Sequence, residues 1–372
     1  MQYLDLHEQH GVPKPIFRKF INHVKDQFKD EPAFPNLLSF HSEQECMTDY
    51  ELLTLFLQPR LRTFKVNVSE GEEEENNISM LTVGARNLQN LDIRPLFINE
   101  LLRLWPLRRL QSLTCTIQGK HPLTALDQLR TLPGIVFPAL KTVELTTWEP
   151  LSFNTDIINW LSASAPSLSE LTFSCNSFKA TPDTLEPFIA TLAALSPRLT
   201  SCKLRMRRPK DDSTLTPAPV ILAPLHALGD ALHVLDLADV PLALGADDLL
   251  ALARACPRLT LLRLGNAASR TTSRVRLSAL EAVADACPAL THLGVPLEAV
   301  EARLQSPACC HRALRELDTQ RQLPHHTAAH EFASRLFPAA RLIPEPPHSR
   351  YLHIPGISRI LNPHRRVLIR DC

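Results

Sequence analysis

Cys309-Cys310-His311, with His325-His326 and His330 downstream, is the tract whose residue types match a zinc site, since thiolate and imidazole are the usual zinc ligands. Its spacing fits no standard finger, and adjacent cysteines rarely give one tetrahedral ion two ligands. No metal and no cofactor is expected; the tract reads as a His-rich, partly exposed part of a C-terminal cap. A second cluster, Lys203, Arg205, Arg207, Arg208 and Lys210, groups cations as a nuclear-import signal or phosphate patch does. It is followed by Asp211-Asp212, lacks interleaved aromatics, and belongs to a chain with 40 basic and 39 acidic residues. A nucleic-acid partner is therefore set aside. The run Glu70-Gly71-Glu72-Glu73-Glu74-Glu75 reads as a solvated loop. No Gly-x-Ser-x-Gly elbow and no Gly-x-x-x-x-Gly-Lys-Ser/Thr loop occurs, and ten glycines are a poor supply for phosphate loops. No catalytic residue emerges, and the chain is not expected to be an enzyme.

The elements that carry these residues announce themselves by repetition. An apolar-x-x-apolar-x-apolar template fits Leu61-Phe64-Val66, Leu88-Leu91-Ile93, Leu110-Leu113-Cys115 and Leu140-Val143-Leu145. It returns at Leu168-Leu171-Phe173, Leu199-Cys202-Leu204, Leu232-Leu235-Leu237, Leu259-Leu262-Leu264 and Leu290-Leu293-Val295, with looser copies from Leu37 and Leu314. First positions lie 22 to 33 residues apart, near the leucine-rich-repeat spacing of about 20–29. Proline stands two residues before the first leucine at Pro35, Pro59, Pro138, Pro166, Pro197, Pro257 and Pro288. A proline disfavours helix in the residue before it, so it should end each helix and launch each strand. Helices are visible upstream over Asp247–Arg254 and Leu277–Ala284.

One strand and one helix cannot bury their apolar faces alone; stacking of neighbours does it. The expected fold is α/β: a leucine-rich-repeat solenoid, a right-handed β-α horseshoe of about 11–12 repeats, over residues 1–343. Residues 1–36 would form an irregular first repeat and 344–372 a C-terminal cap or tail. Nine cysteines, single apart from Cys309 and Cys310, do not form a disulfide framework. Cys115, Cys175 and Cys202 should be core thiols. Met1–His10 lacks an apolar signal region, and Pro217–Leu235 is too interrupted to cross a membrane. A cytoplasmic or nuclear monomer without membrane contact is expected.

Alternation along a strand turns the residues between the apolar ones to the opposite face. The central row of that concave face reads Lys65, Asp92, Thr114, Glu144, Thr172, Lys203, Asp236, Arg263. A flanking row reads Thr63, Asn90, Ser112, Thr142, Glu170, Ser201, Val234, Leu261, His292. A plain solvated sheet face and a partner-binding groove are both consistent with such mixed polarity. The binding reading rests on Lys65, Asp92, Glu144, Glu170, Lys203, Arg205, Asp236, Leu261 and Arg263. Leu261 and Val234 would make a small apolar spot, or be covered by the segment Pro209–Pro219.

The Cys-Pro-x-Leu-x-x-Leu-x-Leu stretch from Cys256 to Leu264, repeated from Cys287, resembles the cysteine-containing repeats of F-box leucine-rich-repeat proteins. Phe34-Pro35-Asn36-Leu37 and Leu53–Leu61 look like repeats of fungal members of that family, which is ribonuclease-inhibitor-like in fold. The resemblance runs from Met1 to about Leu317. It implies a protein-interaction scaffold that holds a substrate on its repeats, while an F-box docks a Skp-type adaptor of a cullin ubiquitin ligase. An F-box of roughly forty residues closing near a tryptophan is missing; Trp105, Trp148 and Trp160 lie inside the repeats. Met1-Leu4-Leu6 itself fits the strand template, so the expectation is that Met1 lies within a longer ancestral repeat protein. The alternatives are a GTPase-activating repeat protein of the RanGAP type and a non-functional truncated fragment.

Overall fold

The computed structural model describes residues 3–6, 19, 22–24, 26–27, 34–42, 56–67, 78–118, 136–176, 182–195, 198–206, 216–240, 242–265, 275–298, 307, 309–319 and 327–343. The tail 344–372, His325 and His326, and the acidic run Glu70–Glu75 lie outside the described residues.

Each copy of the leucine template produces a strand that starts two residues after its first leucine. These strands are β2 (Ser39–Ser42), β3 (Thr63–Asn67), β4 (Asn90–Phe97), β5 (Ser112–Gln118), β6 (Thr142–Thr147), β7 (Glu170–Cys175) and β8 (Ser201–Met206). They continue as β10 (Val234–Leu237), β12 (Leu261–Leu264), β13 (His292–Gly294) and β14 (Glu316–Asp318). With β1 (Tyr3–Leu6) before them and β15 (Arg341–Ile343) after them they make one 13-stranded, wholly parallel sheet in chain order. Two short strands, β9 (Thr216–Pro217) and β11 (Leu242–Ala243), pair apart from it, a feature the template does not predict. The molecule is a leucine-rich-repeat solenoid.

The helices pack on one side of the sheet. They are α1 (Ile78–Gly84), α2 (Ile98–Arg103), α3 (Leu151–Ser164), α4 (Pro182–Ala194), α5 (Ala218–Leu225), α6 (Ala246–Ala255), α7 (Ala279–Ala286) and α8 (Thr327–Leu336). Inward strand residues such as Leu113, Val143, Leu171, Leu235 and Leu262 meet Ile158, Phe188, Leu222, Leu252 and Leu280 from the helices in one continuous core. Phe173 and Phe188 pack with ring centroids 5.0 Å apart, joining β7 to α4. Each such apolar side chain contributes roughly 1.5–3 kcal/mol of burial.

The prolines act at one remove from the strand. Pro35, Pro59, Pro138, Pro166, Pro257 and Pro288 each occupy the second position of a four-residue turn, closed by the leucine N–H on the carbonyl three residues back. Leu168 N to Ala165 O and Leu259 N to Cys256 O are examples. Proline pre-sets the backbone angle that this position requires. The residue before it leaves the helical region, with φ −129° and ψ 69° at Ala165 and nearly the same values at Cys256 and Cys287. So the proline ends the helix as expected, but the strand begins four residues later, after the turn. Pro338, before Ala340, belongs to another such turn, hidden from the template because alanine stands where leucine is usual.

Beyond each turn one carbonyl accepts two N–H groups from the next repeat. Lys141 O takes Ser169 N and Glu170 N, Thr200 O takes His233 N and Val234 N, and Thr260 O takes Thr291 N and His292 N. Hydroxyls add to the ladder: Thr200 Oγ1 donates to Ser169 O and Thr291 Oγ1 to Thr260 O. This ladder locks the register, and the register places the site.

Candidate open-face site

The parallel register carries the central row straight across the sheet. Lys65 lies beside Asp92, then Thr114, Glu144, Thr172, Lys203, Asp236, Arg263 and Gly294. The flanking row aligns Asn90, Ser112, Thr142, Glu170, Ser201, Val234, Leu261, His292 and Glu316 in the same way. All of these except the buried Gly294 are half-buried or exposed, on the face that the helices leave open.

The row divides into two electrostatic halves. Toward the N-terminal end, Lys65 Nζ is 3.7 Å from Asp92 Oδ2, Arg94 Nε is 2.9 Å from Asp92 Oδ1, and Arg94 Nη2 is 3.9 Å from Glu144 Oε1. These partly exposed pairs contribute little stability, about 0–1 kcal/mol each, but they satisfy one another's charge. Farther along, Lys203, Arg205 and Arg263 appear in no ion pair among the described residues, although Asp236 lies between Lys203 and Arg263 in register. The Asp236 carboxylate instead caps its own turn, with Oδ1 accepting from Ala238 N at 3.2 Å. The Arg263 stem is held against Gly294, where an added Cβ would lie 2.9 Å from Arg263 Cγ. Glycine here makes room for the arginine to lie along the sheet.

Val234 and Leu261 are half-buried neighbours on this face. Of the segment Pro209–Pro219, residues Thr216–Pro217 pair with Leu242–Ala243 and Ala218 opens α5. Three features lie outside the rows as read from the sequence: the link through Arg94, the pairing of His292, and Trp148. Arg94, two residues beyond Asp92, links two acidic positions of the row. His292 Nε2 sits 3.5 Å from Glu316 Oε2, a pair visible once the flanking row is extended by one repeat. Trp148, 52% exposed, follows β6 directly and supplies a large aromatic just past the rows. It lies beyond the last apolar position of the template, where the rows end.

Of the Cys/His tract, His311 has a structural role. His311 is buried, its Nε2 3.0 Å from Cys287 O while its Nδ1 accepts from Leu314 N. The ring stands in for the main-chain carbonyl that closes the turn in other repeats. Cys309 is half-buried and Cys310 exposed, and among the described residues no three His, Cys, Asp or Glu side chains are grouped to hold a metal. Among the same residues no helix is long and apolar enough to cross a membrane.

No family model matches the sequence, and no curated protein does. Among solved structures the fold is similar to the leucine-rich-repeat protein LegL7 from Legionella pneumophila, at 10% identity and a TM-score of 0.38, covering 77% of this chain and 88% of that one. It is also similar to a structure of the Rad7 and Elc1 complex in yeast, at 16% identity and a TM-score of 0.36, covering 90% and 88%.

Proposed function

We propose that the chain is a protein-interaction scaffold whose open, concave sheet face holds a partner protein, through Lys203, Arg205, Asp236, Leu261 and Arg263. The supporting observation is the division of the central row. Lys65, Asp92, Arg94 and Glu144 engage one another, whereas Lys203, Arg205 and Arg263 enter no ion pair among the described residues, and Lys203 and Arg263 lie beside the apolar Val234–Leu261 spot. Cations around a small apolar centre, displayed on a rigid ladder, suit a partner with acidic groups around an apolar anchor. Glu170 and the paired acidic half would set orientation rather than affinity.

On the resemblance of its cysteine-containing repeats, the scaffold is a substrate-recognition module related to F-box receptors of cullin ubiquitin ligases. A Skp-type adaptor would then join through a segment outside the repeats. Affinity purification of the tagged chain from its native cells, in parallel with a Lys203→Glu/Arg263→Glu variant, tests both parts. Partners lost from the variant, at unchanged expression and melting temperature, define the face as the binding surface. Identical partner sets from both proteins would exclude it, and purification without any Skp-type adaptor or cullin would remove the ligase connection.

A further inference from the structure

The edge of the sheet where each repeat turns from helix into strand carries a second charged surface, separate from the open face. Four consecutive turns, Gln58–Arg62, Ala85–Gln89, Leu104–Gln111 and Phe137–Lys141, expose Arg60, Arg62, Arg86, Arg109 and Lys141 and contain no Asp or Glu. Gln89 N donates to Arg62 O, Gln111 N to Gln89 O and Lys141 N to Gln111 O. The turns are therefore stacked at about the strand spacing, roughly 4.8 Å per repeat. None of the five cations enters an ion pair among the described residues.

Two of them are oriented all the same. Arg60 Nη1 donates to Asn36 Oδ1 at 2.8 Å, Arg109 Nη1 donates to Asn87 Oδ1 at 2.9 Å, and Asn87 Nδ2 donates to Pro59 O at 2.7 Å. A neutral amide fixes a guanidinium without cancelling its charge and leaves most of its N–H donors for a ligand. Trp105 projects from the third of these turns, 50% exposed, with the Arg108 guanidinium 5.6 Å from the ring centroid.

We propose that this edge is a track for single-stranded nucleic acid, with its arginines on the phosphodiester backbone and Trp105 stacking against a base. Cations on each of four stacked turns, with no acidic residue among them, suit a polyanion, and arginine is well suited to phosphate. A cationic track beside an exposed aromatic ring is how single strands are held without sequence preference. A protein partner would need an apolar centre, and these turns expose a single large apolar side chain. The overall charge of +1 conceals the stripe, because its turns lie a repeat apart in sequence and their cations are balanced by acidic residues elsewhere. The proposal stands independently of the open-face reading.

Fluorescence anisotropy of the full chain with a labelled oligothymidylate of about fifteen nucleotides tests it. Expected is a Kd of about 1–100 µM at physiological salt, tighter at low salt, with a log–log slope of about −2 to −4, since each phosphate neutralised on a single strand contributes roughly 0.7. The double variant Arg86→Glu/Lys141→Glu, which leaves the asparagine-held arginines in place, should lose tenfold or more, and the milder Arg86→Gln/Lys141→Gln should lose less. Trp105→Ala should lose about fivefold or more, while Arg254→Gln, at an exposed position of α6 on the helical side, should bind as the parent does. Absence of oligonucleotide binding, or full affinity in the folded charge-reversal variant, overturns the proposal. So does a labelled polyglutamate peptide that binds as tightly as the oligonucleotide, which would assign the edge to an acidic protein.

Discussion

Cys115 and Cys202 occupy inward positions of β5 and β8, and burial pushes both thiols up to about 12 from an ordinary value of 9.0, with Asp236 adding to the effect at Cys202. Desolvation does the same to Cys287, to about 12, and to Cys256, to about 11. The Cys287 thiol also donates to Ala253 O and Cys256 O in the preceding repeat, which gives the Cys-Pro pair a structural purpose. In the unfolded chain these thiols ionise near 9, while in the folded chain they stay protonated until about 11–12. Between those values the unfolded state binds fewer protons, so stability falls as pH rises. Urea melts from pH 8 upward should show a decline beginning near pH 9, shallower in Cys202→Ala; equal slopes would assign the alkaline loss to other groups. In the native protein a thiol reagent should label exposed Cys310 readily and the five buried thiols Cys115, Cys175, Cys202, Cys256 and Cys287 only on unfolding.

At the scale of elements, the leucine template located every strand from β2 to β14 in the main sheet, because a period of two is written directly in side-chain polarity. It did not locate β9 and β11, two-residue strands too short to carry a period. It also placed the prolines next to the strands, whereas they belong to the intervening turns. Close packing between repeats is equally silent in the sequence. At Gly84, ending α1, an added Cβ would lie 2.9 Å from Leu57 Cβ and 3.4 Å from Leu57 O. Neither atom is the free end of a flexible side chain, so backbone must move. Gly84→Ala should cost about 1–3 kcal/mol, seen as a lower urea midpoint with the slope unchanged; a neutral result would mean that the α1 end adjusts freely.

In the whole molecule each repeat touches chiefly its neighbours, so stability is a sum of repeat and interface contributions. Leu235→Ala, at a fully buried position of β10, should cost about 2–5 kcal/mol. Hydrogen exchange in this variant should accelerate most in β8, β10 and β12 and least in β3 to β5. Uniform loss of protection along the sheet would instead show one cooperative unit.

Polarity alternation, leucine spacing and the Pro-x-Leu marker were enough to derive the solenoid and the order of the open-face rows, because each repeat encodes its own strand and turn locally. Lys65, Asp92, Glu144, Glu170, Lys203, Arg205, Asp236, Leu261 and Arg263 could be placed on that face for the same reason. Which of them neutralise one another could not be read there: Arg94 reaches Glu144 two strands away, and only the stacked register brings them within range. The arginine edge depends still more on tertiary structure. Its turns are a repeat apart in the chain, and only the ladder between them brings their cations to neighbouring positions about one strand spacing apart.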